Sequence, residues 1–158
     1  MRISARNQIK GTVKAVQEGA VNAVVTISFG DQSVIKSDIT MEAVKELGLV
    51  EGKECHAVIK ATNVMFATER LPQLSARNQI EGTIVKAQLG AVNASVALED
   101  ADGNRLTGSI TNEAVKQLGL TEGMKAVTND GSFDLAPEGD DIDQPYAAHK
   151  HVNWLFTR

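Results

Sequence analysis

Among the polar residues that recur in this chain at one fixed spacing, five pairs stand out. Ser4 and Ser75, Arg6 and Arg77, Asn7 and Asn78, Asn22 and Asn93, and Thr40 and Thr111 each lie 71 positions apart. All can donate hydrogen bonds, and the arginines are permanently cationic, with a planar fork suited to oxyanions. Thr40 and Thr111 each precede a helix-compatible stretch, where free backbone N–H groups and the helix dipole favour anions. This is the composition of an oxyanion pocket. A hydrolytic site would want a duplicated His or a clefted carboxylate. Only Asp31, Glu42 and Glu51 recur among the acids, and they read as solvated or turn-bound. A purely structural reading stands beside the chemical one. Ser-Ala-Arg-Asn can open a strand, Thr40 can be a helix cap, and Gly19-Ala20-Val21-Asn22-Ala23 can be a tight turn.

The recurrence extends well beyond these residues. It runs without a gap from Ile3 to about Lys53, so the chain is a duplicated small domain. We divide it into a first domain at 1–69, a second at 70–128 that diverges at its end, and an acidic tail at 129–158. Units of this size bury a limited share of their surface, which favours pairing or oligomerisation.

Each unit reads mainly as strands. Val21, Ala23, Val25, Ile27 and Phe29 alternate with polar or smaller neighbours, and Gly30-Asp31 supplies a turn before a second extended run from Val34 to Ile39. Gly11 suggests a bulge or sharp bend. Met41–Leu47 reads as a short helix with Thr40 as N-cap and Gly48 as the residue that ends it. Cys55–Ala61 reads as a closing strand with Cys55, Ala57 and Ile59 on one face. The expected fold is mainly β: two tandem OB-like five-stranded barrels, each with one short helix. The second barrel reads as incomplete, because nothing after Gly123 copies the closing strand. The tail is open to three readings: an appended segment, a disordered end, or the product of a reading-frame change.

Composition excludes several classes. No apolar run approaches a membrane span, and Met1 leads directly into the repeat, so the expected location is cytoplasmic. Cys55 is the sole cysteine and reads as a small buried thiol. Residues 1–70 carry nine basic and eight acidic side chains, whereas residues 71–158 carry seven and twelve. That balance, with only 4% aromatics, argues against nucleic acid as partner. His149-Lys150-His151 reads as a polar tail, and Asp140, Asp141 and Asp143 lack the spacing of a calcium loop. Trp154, Leu155 and Phe156 read as a terminal apolar group that docks on a neighbour or stays loose. No enzymatic constellation is present in the reading.

The ordered set of motifs carries a resemblance. Ser-Ala-Arg-Asn-Gln, Gly-Thr-Val, Gly-Ala-Val-Asn-Ala, Val-Lys-Glu-Leu-Gly-Leu, Glu-Gly-Lys and Val-Ile-Lys-Ala-Thr-Asn-Val-Met together resemble the Mop, or molbindin, family of molybdate-binding domains. The tandem arrangement resembles its di-Mop members. The resemblance implies OB-like barrels that bind molybdate or tungstate for storage or homeostasis. It equally allows a regulatory or interaction module of a molybdate transport or sensing system. It implies a homotrimer, in which six units meet, with anion sites between units. It assigns molybdate binding to Ser4, Arg6, Thr40, Lys60 and Ala61, and to Ser75, Arg77 and Thr111. Relatives often carry a Ser three residues after the Thr; here Ala43 and Ala114 stand there. Lys125 is the only nearby candidate for the second unit's lysine.

Overall fold

The computed structural model describes residues 4–76, 78–130 and 134–137. The chain runs β1 (Asn7–Glu18), β2 (Asn22–Phe29), β3 (Ser33–Thr40), α1 (Met41–Leu47), β4 (Glu54–Ile59), a 3-10 turn (Ala61–Asn63) and β5 (Met65–Ala67). The second half runs β6 (Asn78–Leu89), β7 (Asn93–Glu99), β8 (Arg105–Thr111), α2 (Asn112–Leu118), β9 (Lys125–Asp130) and β10 (Asp134–Pro137). Arg77, the histidine pair at 149 and 151, the aspartates at 140, 141 and 143, and Trp154–Phe156 lie outside the described residues.

Local chemistry explains most of these elements. Along β2, Ala23, Val25, Ile27 and Phe29 are buried and their neighbours are not, the alternation of a half-buried strand. Val21 does not join that face; it sits in the preceding turn, 73% exposed. Thr40 caps α1 by accepting the Ala43 N–H at 3.1 Å, and Gly48 ends it at φ 62°, where a side chain would be strained. Gly11 is not at a bulge. The register shift falls between Val13 and Ala15, and Gly11 instead permits close approach of β2: a Cβ there would stand 2.8 Å from the Ser28 carbonyl oxygen.

The closing strands are exchanged between the halves. The first sheet has the order β10-β4-β1-β2-β3 and the second β5-β9-β6-β7-β8. Thus β5, from the first repeat, completes the second sheet, and β10, from beyond Asn129, completes the first. This corrects two expectations. The second unit has not lost its strand: β9 pairs with β6 from Asn78↔Asp130 to Thr83↔Lys125, the register of Asn7↔Ile59 to Thr12↔Glu54 shifted by 71. The tail is also not wholly separate, since the second unit runs to Asp130 and 134–137 is a strand. The copy is hard to see for two reasons. Buried Thr128, Asn129 and Asp130 stand where β4 has Ala57, Val58 and Ile59. The connection to the last strand is also shorter, three residues (131–133) against five (60–64).

Reciprocal hydrogen bonds tie the halves together. The Asn7 side chain donates to the Thr107 carbonyl at 2.8 Å and accepts the Thr107 N–H at 2.7 Å. Asn78 does the same with Lys36, at 2.9 and 2.7 Å. Both asparagines are buried. A carboxamide carries the donor and acceptor of a peptide group, so each one satisfies the edge strand of the other sheet. The duplicated asparagines are therefore structural ties and not oxyanion donors.

Gly108 on β8 accommodates the exchanged strand. A Cβ there would lie 2.4 Å from Phe66 Cε2. At the matching positions the first barrel has a buried Ser37 on β3 and the smaller Leu135 on β10. Gly108→Ala is expected to destabilise the fold by about 1–3 kcal/mol through overpacking. Phe66→Leu should recover part of that loss, which a double-mutant cycle in urea would read as coupling. Strict additivity would show that the two positions do not share space.

Candidate functional site

The ladder between β1 and β4 positions the chemistry. Asn7 pairs with Ile59, so the chain just before β1 and the chain just after β4 run out side by side. This brings Ser4 and Arg6 against Lys60, Ala61 and Thr62. The 3-10 turn at Ala61–Asn63 curls this loop back, with the Asn63 N–H bonding the Lys60 carbonyl at 2.9 Å. The second unit supplies the remaining wall. The Asn7–Thr107 tie holds β8 alongside, and Ser109 lies two residues further on the same face of that strand. Together Ser4, Arg6, Lys60, Ala61, Thr62 and Ser109 line a recess of about 260 Å³.

Four sequence-predicted residues, Ser4, Arg6, Lys60 and Ala61, therefore meet. Two cations line the recess and no carboxylate does. Side by side they repel, and a bound anion relieves that repulsion. The hydroxyls of Ser4, Thr62 and Ser109 can donate without demanding an acceptor from the ligand.

The other predicted residues are not brought into this recess. Thr40 and Thr111 do not line it, and their hydroxyls accept the N–H groups of Ala43 and Ala114, each at 3.1 Å. Ser75 is exposed. Lys125 is not the counterpart of Lys60; by register it matches Glu54 at the far end of the strand. Asn22 and Asn93 close tight turns, their carbonyls accepting Gly19 and Gly90 N–H groups at 2.8 and 2.9 Å. Sequence reasoning missed Thr62 and Ser109. Thr62 adjoins the Lys-Ala pair and could have been read. Ser109 gave no signal, because its copy in the first unit is Asp38.

A larger cavity, about 530 Å³, is chemically opposite. Glu69, Glu81, Glu99 and Asp100 line it against Arg70 and Lys125, a net negative wall that repels anions. Among the described residues no group of three His, Cys, Asp or Glu side chains could hold a metal ion. Cys55 is fully buried in the core.

The TOBE domain family matches residues 3–66 and 74–128. The chain belongs to that family. The first match takes in most of β5, which closes the second sheet, and neither match reaches β10, which closes the first. The chain is 37% identical over 127 residues, 80% of its length, to the molybdenum transport protein ModE of Herbaspirillum seropedicae. It spans about half the length of such curated relatives, 47% in that case. It is 52% identical over 69 residues to a probable molybdenum-pterin-binding protein of Haemophilus influenzae, covering 44% of this chain and all of that one. A solved structure of the cytoplasmic molybdate-binding protein ModG with molybdate bound is 43% identical, with a TM-score of 0.82 over 87% of this chain and 99% of that one. The TOBE fold of this chain is thus the tandem arrangement seen in ModG.

Proposed function

We propose that this chain binds molybdate, and tungstate with it, as a cytoplasmic store or buffer of the oxyanion and not as an enzyme. The observation that carries the reading is the recess where Arg6 and Lys60 meet three hydroxyls and no carboxylate. Molybdate at neutral pH is a fully deprotonated tetrahedral dianion, so it needs donors only. Protonated phosphate loses an acceptor in such a site, which favours the larger, bare dianion. The likeness to ModG over nearly all of that chain supports the same ligand. Thr40, Ser75, Arg77 and Thr111 fit further sites completed by other copies. A homotrimer is part of this reading. Val21 and Val92, 73% and 72% exposed at matching turns, offer apolar surface for it. No helix among the described residues is long and apolar enough to cross a membrane.

Titration calorimetry with molybdate, tungstate, sulfate and phosphate tests the reading. Arg6→Ala is expected to weaken molybdate by about ten- to a hundredfold, the worth of a hydrogen bond to a charged group. No heat with millimolar molybdate, or unchanged affinity in Arg6→Ala, would refute it. Light scattering showing a monomer with and without molybdate would refute the trimer.

A second reading has its own observation. The match to half of ModE favours a sensing or transport-linked module. Molybdate-dependent binding to a transport or regulatory component, in a pull-down with defined partners, would favour it over storage.

A further inference from the structure

Asn7 stands where the three strands that reach the recess meet. Its backbone pairs with Ile59, the last residue of β4. Its side chain holds the Thr107 N–H and carbonyl of β8, at 2.7 and 2.8 Å. Along each strand the recess begins a residue or two further on: Arg6 before Asn7, Lys60 after Ile59, and Ser109 two beyond Thr107 on the same face. Asn7 itself is 2% exposed and does not line the recess. Ser109 comes from the other half of the chain, on an outer strand of the second sheet. Asn78 makes the same two bonds to Lys36, but β6 and β3, which it joins, carry no residue of the recess.

We propose that Asn7 is a positioning residue for oxyanion binding: through Thr107 it fixes the Ser109 hydroxyl in the recess with Arg6 and Lys60, a part that Asn78 does not play. This rests on the oxyanion reading above. The reason is pre-organisation. Arg6 and Lys60 are long side chains that can follow an anion. The Ser109 hydroxyl is short and reaches the anion only if its backbone is already in place. A strand left free to drift must be ordered when the anion binds, and that cost is subtracted from affinity. By linkage, an anion that binds better when the tie is formed must also strengthen the tie.

Titration calorimetry of the full chain with molybdate tests this, reading the binding component that Arg6→Ala weakens. Asn7→Ala is expected to lower that affinity by about tenfold, up to the loss in Ser109→Ala, the worth of one hydrogen bond to a charged group. Asn78→Ala removes an equivalent tie and should change it by less than about twofold. In a Ser109→Ala background, Asn7→Ala should also cost less than about twofold, because the group it positions is gone. Hydrogen exchange on the native chain gives a readout that needs no variant to fold. Molybdate should slow exchange of the Thr107 amide, bonded to Asn7, more than that of the Lys36 amide, bonded to Asn78. Additive losses in the cycle, equal losses in Asn7→Ala and Asn78→Ala, or equal slowing of the two amides would overturn the assignment and leave the oxyanion reading standing. If the native chain binds no molybdate, both fall.

Discussion

Asp130→Asn is expected to raise the stability of this protein at pH 8 and to flatten its dependence on pH. Asp130 ends β9, is fully buried, and has no hydrogen-bond partner for either carboxylate oxygen among the described residues. Burial pushes its carboxyl from 3.8 up to about 7. Between those values the folded chain holds a proton that the unfolded chain has released. Stability therefore falls as pH rises through this window and levels off above about 7. The loss is on the order of 4 kcal/mol across the whole window, at about 1.4 kcal/mol per unit. Asn keeps the shape and removes the charge, so the variant should match the native chain near pH 4 and exceed it at pH 8. Urea unfolding at the two pH values reads the difference. Parallel pH profiles for the two proteins would show that Asp130 is solvated or paired in solution.

Removing both asparagine ties should cost nearly as much. Asn7→Ala leaves the Thr107 N–H and carbonyl without their partner, and Asn78→Ala does so for Lys36. Each is expected to cost about 2 kcal/mol, the usual penalty for stranding partly buried backbone groups. The ties share no residue, so the double variant should lose about 4 kcal/mol. For a chain of this length that lowers the melting temperature by roughly 8–16 °C. The same loss should loosen the recess, because the Asn7 tie holds β8, and with it Ser109, beside Arg6. A double variant that melts like the native protein would mean that water replaces the asparagines without penalty.

These two variants mark where the sequence was legible and where it was not. The tandem division, the strand-rich barrels and the short helix followed from local chemistry. The alternation in β2 and the Thr40 and Gly48 caps depend only on residues near each other in the chain. The pairing of Ser4 and Arg6 with Lys60 and Ala61 was also within reach, through the repeat and the family it resembles. What sequence could not show depended on contacts between the halves. Lys125–Asp130 is a strand because β6 and β5 flank it and satisfy its backbone, although buried Thr128, Asn129 and Asp130 spell no strand pattern. The exchange of β5 and β10 is likewise invisible, since a strand's pattern says which face is buried and not which sheet it joins. The sequence by itself determined two TOBE units, the kind of elements in each and a donor-rich, carboxylate-poor set of residues. Only the tertiary structure decided that Asn7 and Asn78 serve the edges of the opposite sheets and that Ser109 joins the first unit's cations. The physical reason is that hydrogen-bond satisfaction and charge are settled by neighbours in space, and here those neighbours lie on the other half of the chain.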